Sequence, residues 1–380
     1  MNKLFSFFLA IIAGYFCSCS SSRQAQTAIA INHLEFLSEF DIPYNKVFDS
    51  TVTGGLSGID YDAKNDVYYL ISDDRSAKNP ARFYTVKIAI NNSKIDSAYF
   101  IKNTFLKNKT GNYYPNFKTN AAETPDPEAL RFNSADATFT WSSEGERIVT
   151  AKNKILQNPA ITVIDSKGNY IDTFQLPERL LMKPDENGPR QNGVLEGLTF
   201  SKNNKNLFVS LEEPLYEDGP RAGTKDSSAI VRFIKFDIKT RKPLAEYAYK
   251  IDPVAHSPFP PDAFKVNGIS DILSTGENKL LVVERSYSTG RLSCTIKVFL
   301  ADISSAENIQ NVSSLKDKKD IKFISKKLLL NMDDLHFYID NIEGVTFGPT
   351  LSNGNKTLIF VSDNNFNPLE KTQFLLFEIR

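Results

Sequence analysis

The feature that most constrains the fold is a short sequence phrase that returns five times along the chain. Its clearest copy, Asn341-Ile342-Glu343-Gly344-Val345-Thr346-Phe347, is followed after a turn by Thr357–Asp363. Both halves are rich in β-branched and aromatic residues, which predicts two strands joined by a loop. The copies are anchored at five residues spaced 71, 68, 71 and 76 positions apart, namely Ser57, Glu128, Glu196, Asn267 and Glu343. Such even spacing indicates a repeat fold.

Each copy is predicted to contribute four strands, so the chain is predicted to be all-β. In the third copy the strands are expected at residues 196–200, 207–211, 229–238 and 244–251. The last copy has room for three, and the run Leu34–Ile42 before the first copy can supply the fourth. A strand from the other terminus would close a ring without an open edge, as in β-propellers. Residues 29–380 are therefore predicted to form a single β-propeller of five blades, or of six if residues 91–124 hold a blade that lacks the phrase.

The first 19 residues have the pattern of a bacterial lipoprotein signal peptide. The N-terminal residues Met1-Asn2-Lys3 carry positive charge, and they are followed by an apolar run, residues 4–16, that is too short to span a bilayer. Ser18 before Cys19 resembles a lipobox, which makes Cys19 the expected lipidation site; the alternative is an ordinary cleaved secretory signal. Residues 20–28 would be a flexible tether. We expect the body to be exported to the bacterial cell envelope and to meet the membrane only through the lipid anchor.

Charge and residue usage exclude several classes of function. Lys plus Arg and Asp plus Glu number 45 each, so the formal net charge is zero and gives no electrostatic attraction for nucleic acid. The chain has three histidines, none at ligand spacing, which argues against a zinc site and a Ser-His-Asp triad. Cys294 lies in an apolar run and is expected to be a buried strand cysteine. We expect a monomer whose partner is a small anionic molecule or an envelope ligand.

Carboxylates recur at two positions of the repeated phrase. In a propeller the first strand of each blade lines the channel and the second runs antiparallel beside it, so the start of one and the end of the other share a mouth. About ten carboxylates would crowd there, and such a ring needs cations, raised pKa values or arginine partners. Oxygen ligands alone favour calcium (Ca2+) over magnesium. The candidate metal ligands are Asp73, Asp74, Glu128, Glu196, Glu284, Glu343 and Asp363. The alternative is that these carboxylates cap strand ends and pair with Arg75 and Arg285.

Several stretches together resemble the phytase-like family, also described as the esterase-like activity of phytase. They span about residues 50–380 and comprise Gly58-Ile59-Asp60, Ile71-Ser72-Asp73-Asp74-Arg75, Asp126-Pro127-Glu128-Ala129-Leu130, Asn192-Gly193-Val194-Leu195-Glu196-Gly197-Leu198, Leu281-Val282-Val283-Glu284-Arg285-Ser286, Asn341-Ile342-Glu343-Gly344 and Ser362-Asp363-Asn364-Asn365. The resemblance implies hydrolysis of phosphoesters or carboxylesters. At Ala129 the chain departs from the Gly that is usual after Glu, which puts the second blade's part in a site in doubt.

Two functions from different classes remain open. The first is a calcium-assisted phosphoester hydrolase in which Arg75 and Arg285 clamp the phosphate and Glu212 or Glu213 is the general acid or base. Its substrate would also contact three asparagines beside the carboxylates, Asn192, Asn341 and Asn364. The second is a non-enzymatic binding propeller that presents its long loops to a glycan, peptide or envelope partner. Carboxylesterase activity is a third option, weakened by the lack of a triad.

Overall fold

Five four-stranded antiparallel sheets are arranged in a ring, so the predicted five-bladed β-propeller is confirmed. The computed structural model describes residues 29–225, 228–316 and 318–380. The proposed signal peptide, Cys19 and the tether at 20–28 lie outside these ranges. A sixth blade is not formed by residues 91–124, which hold the strand Lys94–Phe105 of blade 1 and the short helix Phe117–Asn120. None of the helices in the described ranges is long and apolar enough to span a bilayer.

In blades 1 to 4 the strands lie in sequence order from the channel outwards, and in blade 5 the outermost strand comes from the N-terminal part of the chain. Blade 1 contains Leu56–Asp62, Val67–Ser72, Arg82–Asn91 and Lys94–Phe105, and blade 2 contains Pro127–Asn133, Thr138–Ser143, Ala160–Ile164 and Tyr170–Thr173. Blade 3 contains Leu195–Phe200, Asn206–Leu211, Ile230–Asp237 and Pro243–Lys250, and blade 4 contains Lys265–Ser274, Lys279–Ser288, Thr295–Asp302 and Ser325–Asn331. Blade 5 contains Asn341–Phe347, Thr357–Asp363, Thr372–Ile379 and Leu34–Ile42.

Outside the blades the chain forms short elements. Two small ladders pair Val47–Phe48 with Thr51–Val52 and Glu146–Val149 with Lys154–Gln157. Three 3-10 turns lie at Glu178–Leu180, Tyr216–Asp218 and Met332–Leu335.

The N-terminal strand closes the ring as the sequence predicted. Leu34–Ile42 pairs antiparallel with Thr372–Ile379, from Leu34 opposite Ile379 to Ile42 opposite Thr372. The outer edge of blade 5 is thus covered by a strand from the other end of the chain, and the two ends of the propeller are joined by backbone hydrogen bonds.

Apolar side chains between neighbouring sheets form the core. The layer between blades 5 and 1, for example, joins Leu56 and Leu70 of blade 1 to Val361 and Phe374 of blade 5, all fully buried. Comparable layers lie between blades 1 and 2 and between blades 4 and 5, while one larger cluster joins blades 2, 3 and 4. Both faces of each inner strand pair are therefore buried, which explains their runs of Val, Ile, Leu and Phe.

Each inner strand carries a register shift near its start, and this shift corrects one sequence prediction. The extra residue is Ser57 in blade 1 and Glu343 in blade 5, and the shift includes Glu128 in blade 2 and Glu196 in blade 3. In blade 4 it is Ser270, not the predicted anchor Asn267. The Asn267-Gly268 pair imitates the Glu-Gly of the other copies, but the bulge that defines the position comes three residues later.

The five inner strands meet around one buried arginine, Arg131 of blade 2. Its guanidinium donates to the backbone oxygens of Ile59 in blade 1 and Leu198 in blade 3. In blade 4 it donates to Ile272 O at 3.0 Å and to the Asp271 carboxylate at 2.7 Å. Asp271 in turn accepts the backbone N–H of Val345 from blade 5 at 2.8 Å. One ion pair therefore connects all five blades at the channel axis.

We expect Arg131→Met to destabilise the propeller by about 3–5 kcal/mol, because it leaves the Asp271 carboxylate buried without its charged partner. Urea unfolding at pH 7 measures this free energy. Lys87→Met is the control, because the Lys87–Asp66 pair is half exposed on both sides and such pairs contribute at most about 1 kcal/mol. Equal losses for the two variants would contradict the role given to Arg131.

Candidate active site at the channel mouth

Two rings of equivalent positions face each other at one mouth of the channel. The first consists of the bulged residues of the inner strands, Ser57, Glu128, Glu196, Ser270 and Glu343. The second consists of the residues at which the second strands reach the same end, Asp73, Glu144, Glu212, Arg285 and Asp363. Three positions of the first ring and four of the second are carboxylates. The mouth is therefore strongly acidic, as the sequence predicted.

A cavity of about 760 Å³ opens at this mouth, which is the size of a small-molecule site. The carboxylates that line it are Asp73, Asp126, Glu128, Glu144, Glu196, Glu212, Glu213, Asp340, Glu343 and Glu370. The cationic side chains in its wall are those of Arg221, Arg285 and Arg291. The excess of negative charge favours a cation, or a ligand that arrives with one.

Two carboxylate triads lie within the cavity and share one member, Glu144. The first is Asp126, Glu128 and Glu144, and the second is Glu144, Glu196 and Glu212; in each, one oxygen per residue lies within 4.8 Å of the others. Calcium–oxygen bonds of about 2.3–2.6 Å place opposite ligands roughly 5 Å apart, so both triads fit this ion. The donors are all carboxylates, with no soft ligand that would favour zinc.

Backbone hydrogen bonds fix the shared carboxylate. Glu144 Oε1 accepts the N–H of Gly193 at 2.7 Å and that of Val194. Gly193 has a φ of 95°, and a Cβ at this position would lie 2.7 Å from Glu213 Cγ. Glycine is required at this position because the backbone adopts a left-handed φ, and this conformation directs two successive N–H groups at Glu144.

Glu128 and Glu196 have neither a hydrogen-bond nor an ion-pair partner among the residues that the structure describes. Burial raises the pKa of Glu128 well above its usual value, and the nearby Glu196, Asp126 and Glu144 raise it further. Burial and then Glu144 and Glu212 do the same to the pKa of Glu196. Two buried carboxylates without a cation are costly, and a bound divalent ion would supply the missing charge.

Arg285 takes the place of a carboxylate in the second ring and lies between two acidic groups. Its Nη2 donates to Glu212 Oε1 at 2.6 Å, and its Nη1 lies 3.4 Å from Glu343 Oε1 and donates to Asn341 Oδ1. Asn341 in turn donates to Glu343 at 2.8 Å. Arg285 therefore compensates Glu343 of blade 5 and also Glu212, one of the three carboxylates of the second triad.

The family described as "Phytase-like: Esterase-like activity of phytase" matches residues 51–366, which is most of the chain. The chain belongs to this family. No curated protein sequence matches it significantly.

Solved structures with a similar chain path include three at low identity. A GH43 β-1,3-galactosidase with galactodeoxynojirimycin has 9% identity over 90% of this chain and 94% of that chain, with a TM-score of 0.44. A gluconolactonase from Xanthomonas campestris has 11% identity over 86% and 73%, with a TM-score of 0.36. A periplasmic gluconolactonase from Pseudomonas aeruginosa has 10% identity over 87% and 86%, also with a TM-score of 0.36. Identities this low say nothing about the chemistry of the phytase-like mouth.

The structure brings most of the predicted residues of this phytase-like protein to one cavity. Its wall contains the predicted metal ligands Asp73, Glu128, Glu196 and Glu343, the predicted acid–base pair Glu212 and Glu213, the predicted clamp Arg285, and the predicted substrate ligands Asn192 and Asn341. Ala129 does not displace the second blade from the site, because Glu128 beside it belongs to the first triad.

Two predicted metal ligands, Asp74 and Glu284, do not line the cavity. Asp74 follows Asp73 and faces away from the cavity, where it pairs with Arg82 at 2.8 Å. Glu284 precedes Arg285 and accepts hydrogen bonds from Tyr249 at 2.8 Å and from Lys326 at 2.6 Å. Successive side chains of the strand Lys279–Ser288 point to opposite faces, so Arg285 reaches the mouth and Glu284 does not. Asp74 lies beyond the end of its strand and is held by Arg82 and by the backbone N–H groups of residues 77–79.

Arg75, Asn364 and Asp363 do not line the cavity either. Arg75 lies behind Asp126, 3.4 Å from its carboxylate and 2.9 Å from that of Glu146, so it positions a triad residue. Asn364 Oδ1 accepts the N–H groups of Gly55 and Phe366, both at 3.1 Å. Asp363 is buried beside Asp73, and burial followed by this neighbour raises its pKa well above the usual value.

Glu144 and Asp126 were missing from the predicted ligand set although both belong to the triads. Glu144 follows the second strand of blade 2 as Glu212 does in blade 3, and this equivalence was the available signal. Arg221, which holds Glu213 at 2.8 Å, comes from an irregular loop without any such pattern.

We expect the chelator-treated protein to lose stability as pH rises from about 5 to 8. Burial raises the pKa of Glu213 and of Glu343 from 4.5 to about 7 in the folded protein. Between these values the folded state binds more protons than the unfolded one, so stability present below about pH 4.5 is lost as pH rises through about 7. The thermal midpoint should fall by about 5 °C or more and recover with calcium. A midpoint that rises over this range without calcium would contradict the assignment.

Glu144→Gln should weaken calcium binding at both triads, because it removes the charge that they share while keeping an oxygen for Gly193 and Val194. Isothermal titration calorimetry should show a loss of at least about tenfold in affinity. Glu370→Gln is the matched control: it lowers the charge of the same cavity outside the triads and should bind calcium as the parent does. Equal losses in the two variants would indicate a diffuse charge effect instead of two sites.

Proposed function

We propose that this phytase-like protein hydrolyses a phosphoric ester at the acidic channel mouth with the help of a hard divalent cation, calcium foremost. The observation that carries the proposal is the pair of carboxylate triads that share Glu144 inside a cavity of about 760 Å³. Membership of the phytase-like family is consistent with a hydrolase.

Asp126, Glu128, Glu144, Glu196 and Glu212 are the residues that would hold the cation. A cation bound there would attract phosphate oxygens and lower the pKa of a water molecule. The two triads lie on adjacent blades, so a substrate phosphate held between them would contact both. The carboxylates themselves would repel a phosphate, which makes the cation a condition for substrate binding.

Among the predicted phosphate clamps, Arg285 is the one in the cavity wall. Glu212 and Glu343 hold the guanidinium in the cavity wall. From there it can donate to a phosphate oxygen and stabilise charge that develops during bond cleavage.

Glu213 is the best candidate for the general acid or base. Burial and the neighbouring Glu212 raise its pKa to about 7, while Arg221 limits the rise. Glu213 belongs to neither triad, so its carboxyl group would be free to transfer a proton to a leaving group or from water while the triads hold a cation. The alternative function, a propeller that binds a partner without chemistry, would use the same cavity but would not need a group that transfers protons.

Turnover of p-nitrophenyl phosphate and phytate, with calcium and with chelator, tests the proposal. We expect calcium-dependent release of phosphate from at least one of them, and a fall in kcat of about 100-fold or more for Glu213→Gln. Glu370→Gln, in the same cavity, should keep the parental kcat. No turnover of either ester by the calcium-loaded protein would contradict the proposal and leave a binding propeller, whereas turnover of p-nitrophenyl acetate alone would indicate a carboxylesterase.

A further inference from the structure

The cavity wall is divided by polarity between blades. The residues that blades 1 to 3 contribute are carboxylates, amides and Arg221. The carbon-rich side chains in the wall come from the segments of blades 4 and 5 and are Phe264, Val266, Tyr287, Leu292, Tyr338 and Leu369. A ligand that fills the cavity therefore meets an acidic surface on one side and an apolar surface on the other.

Three of the apolar side chains in this part of the cavity wall are exposed to solvent and do not belong to the core. Leu292 is 88% exposed, Leu369 is 86% exposed and Phe264 is 58% exposed, although all three line the cavity. The ring of Phe264 lies 6.2 Å from that of Tyr287, so the two form an aromatic ledge at the start of blade 4. Large apolar side chains gathered at a cavity mouth are typical of ligand contacts.

The carboxylates on this side are already satisfied. Asp340 accepts the Tyr338 hydroxyl at 2.8 Å and the backbone N–H of Lys371. Glu370 accepts the side-chain amides of Asn365 and Asn367, both at 2.7 Å. The contrast with Asp73, Glu128 and Glu196, whose side chains have no hydrogen-bond or ion-pair partner among the described residues, places the need for positive charge on the side of blades 1 to 3.

We propose that the substrate is amphipathic: a phosphoric monoester whose phosphoryl group binds at the two triads and whose leaving group is an aryl or alkyl group that lies on Phe264, Leu292 and Leu369. This inference rests on the proposed function and adds the class of leaving group. A polyanion such as phytate would have to place phosphate groups against the two leucines, and the cavity wall formed by the described residues contains three cationic side chains, Arg221, Arg285 and Arg291, against ten carboxylates. An aryl or alkyl group there would be removed from water.

Matched non-hydrolysable ligands test the leaving-group class separately from catalysis. We expect the calcium-loaded protein to bind phenylphosphonate at least about tenfold more tightly than methylphosphonate in isothermal titration calorimetry. Leu292→Ser combined with Leu369→Ser should remove this preference and leave the Kd of methylphosphonate unchanged. Both leucines are highly exposed, so the variant should fold. Leu328→Ser, at an exposed leucine of the outermost strand of blade 4, is the control and should keep the preference.

The outcomes separate the two proposals. Equal affinity for the two phosphonates, or a preference that survives the double substitution, would overturn the inference while leaving the hydrolase proposal intact. Tighter binding of phytate than of phenylphosphonate would overturn it as well. No binding of either phosphonate in the presence of calcium would contradict the phosphoester function and the leaving-group class together.

Discussion

The propeller depends on the buried contact between Arg131 and Asp271. The inner edges of the five inner strands face each other, so their backbone groups lack the neighbouring strand that would normally pair with them. Arg131 meets three of these carbonyl groups, and Asp271 meets an N–H from a fourth strand. Burial raises the pKa of Asp271 to about 6, although Arg131 acts in the opposite direction. A hydrophobic pair of the same volume would leave these backbone groups unsatisfied, which explains why the axis is polar.

Because the inner strands are held at the axis, the bulges near their starts have defined positions. Each bulge breaks the alternation of its strand, and in blades 2, 3 and 5 it turns a glutamate, Glu128, Glu196 or Glu343, into the mouth. Small residues accompany it where neighbouring strands approach each other: a Cβ on Gly197 would lie 2.9 Å from the backbone nitrogen of Ile272. The acidic rings are therefore a consequence of backbone geometry. The apolar layers between neighbouring sheets stabilise the fold against the repulsion among these carboxylates.

The sequence predicted the fold well because the repeated phrase marks the inner strand pair of every blade. The five blades were favoured over six by the number and spacing of the copies, and the closing strand Leu34–Ile42 was predicted because the last copy lacks a fourth strand. The register inside a blade did not, since Asn267-Gly268 imitates the phrase three residues before the true bulge at Ser270. The choice between Asp73 and Asp74, or between Glu284 and Arg285, also needs the register, because adjacent residues face opposite sides.

The axial contact itself was beyond reach from sequence, because Arg131 and Asp271 lie 140 positions apart and neither occupies a conspicuous place in the phrase. The same is true of the asymmetry of the mouth. The backbone repeats five times, but Ser57 and Ser270 leave the first ring with three carboxylates and Arg285 gives the second a positive charge. Arg285 compensates Glu212 and Glu343, and side-chain amides compensate Glu370. The side chains of Glu128, Glu196 and Asp73 have no hydrogen-bond or ion-pair partner among the described residues, so the place where a cation is needed is decided by missing partners on blades 1 to 3 and not by the number of acidic residues.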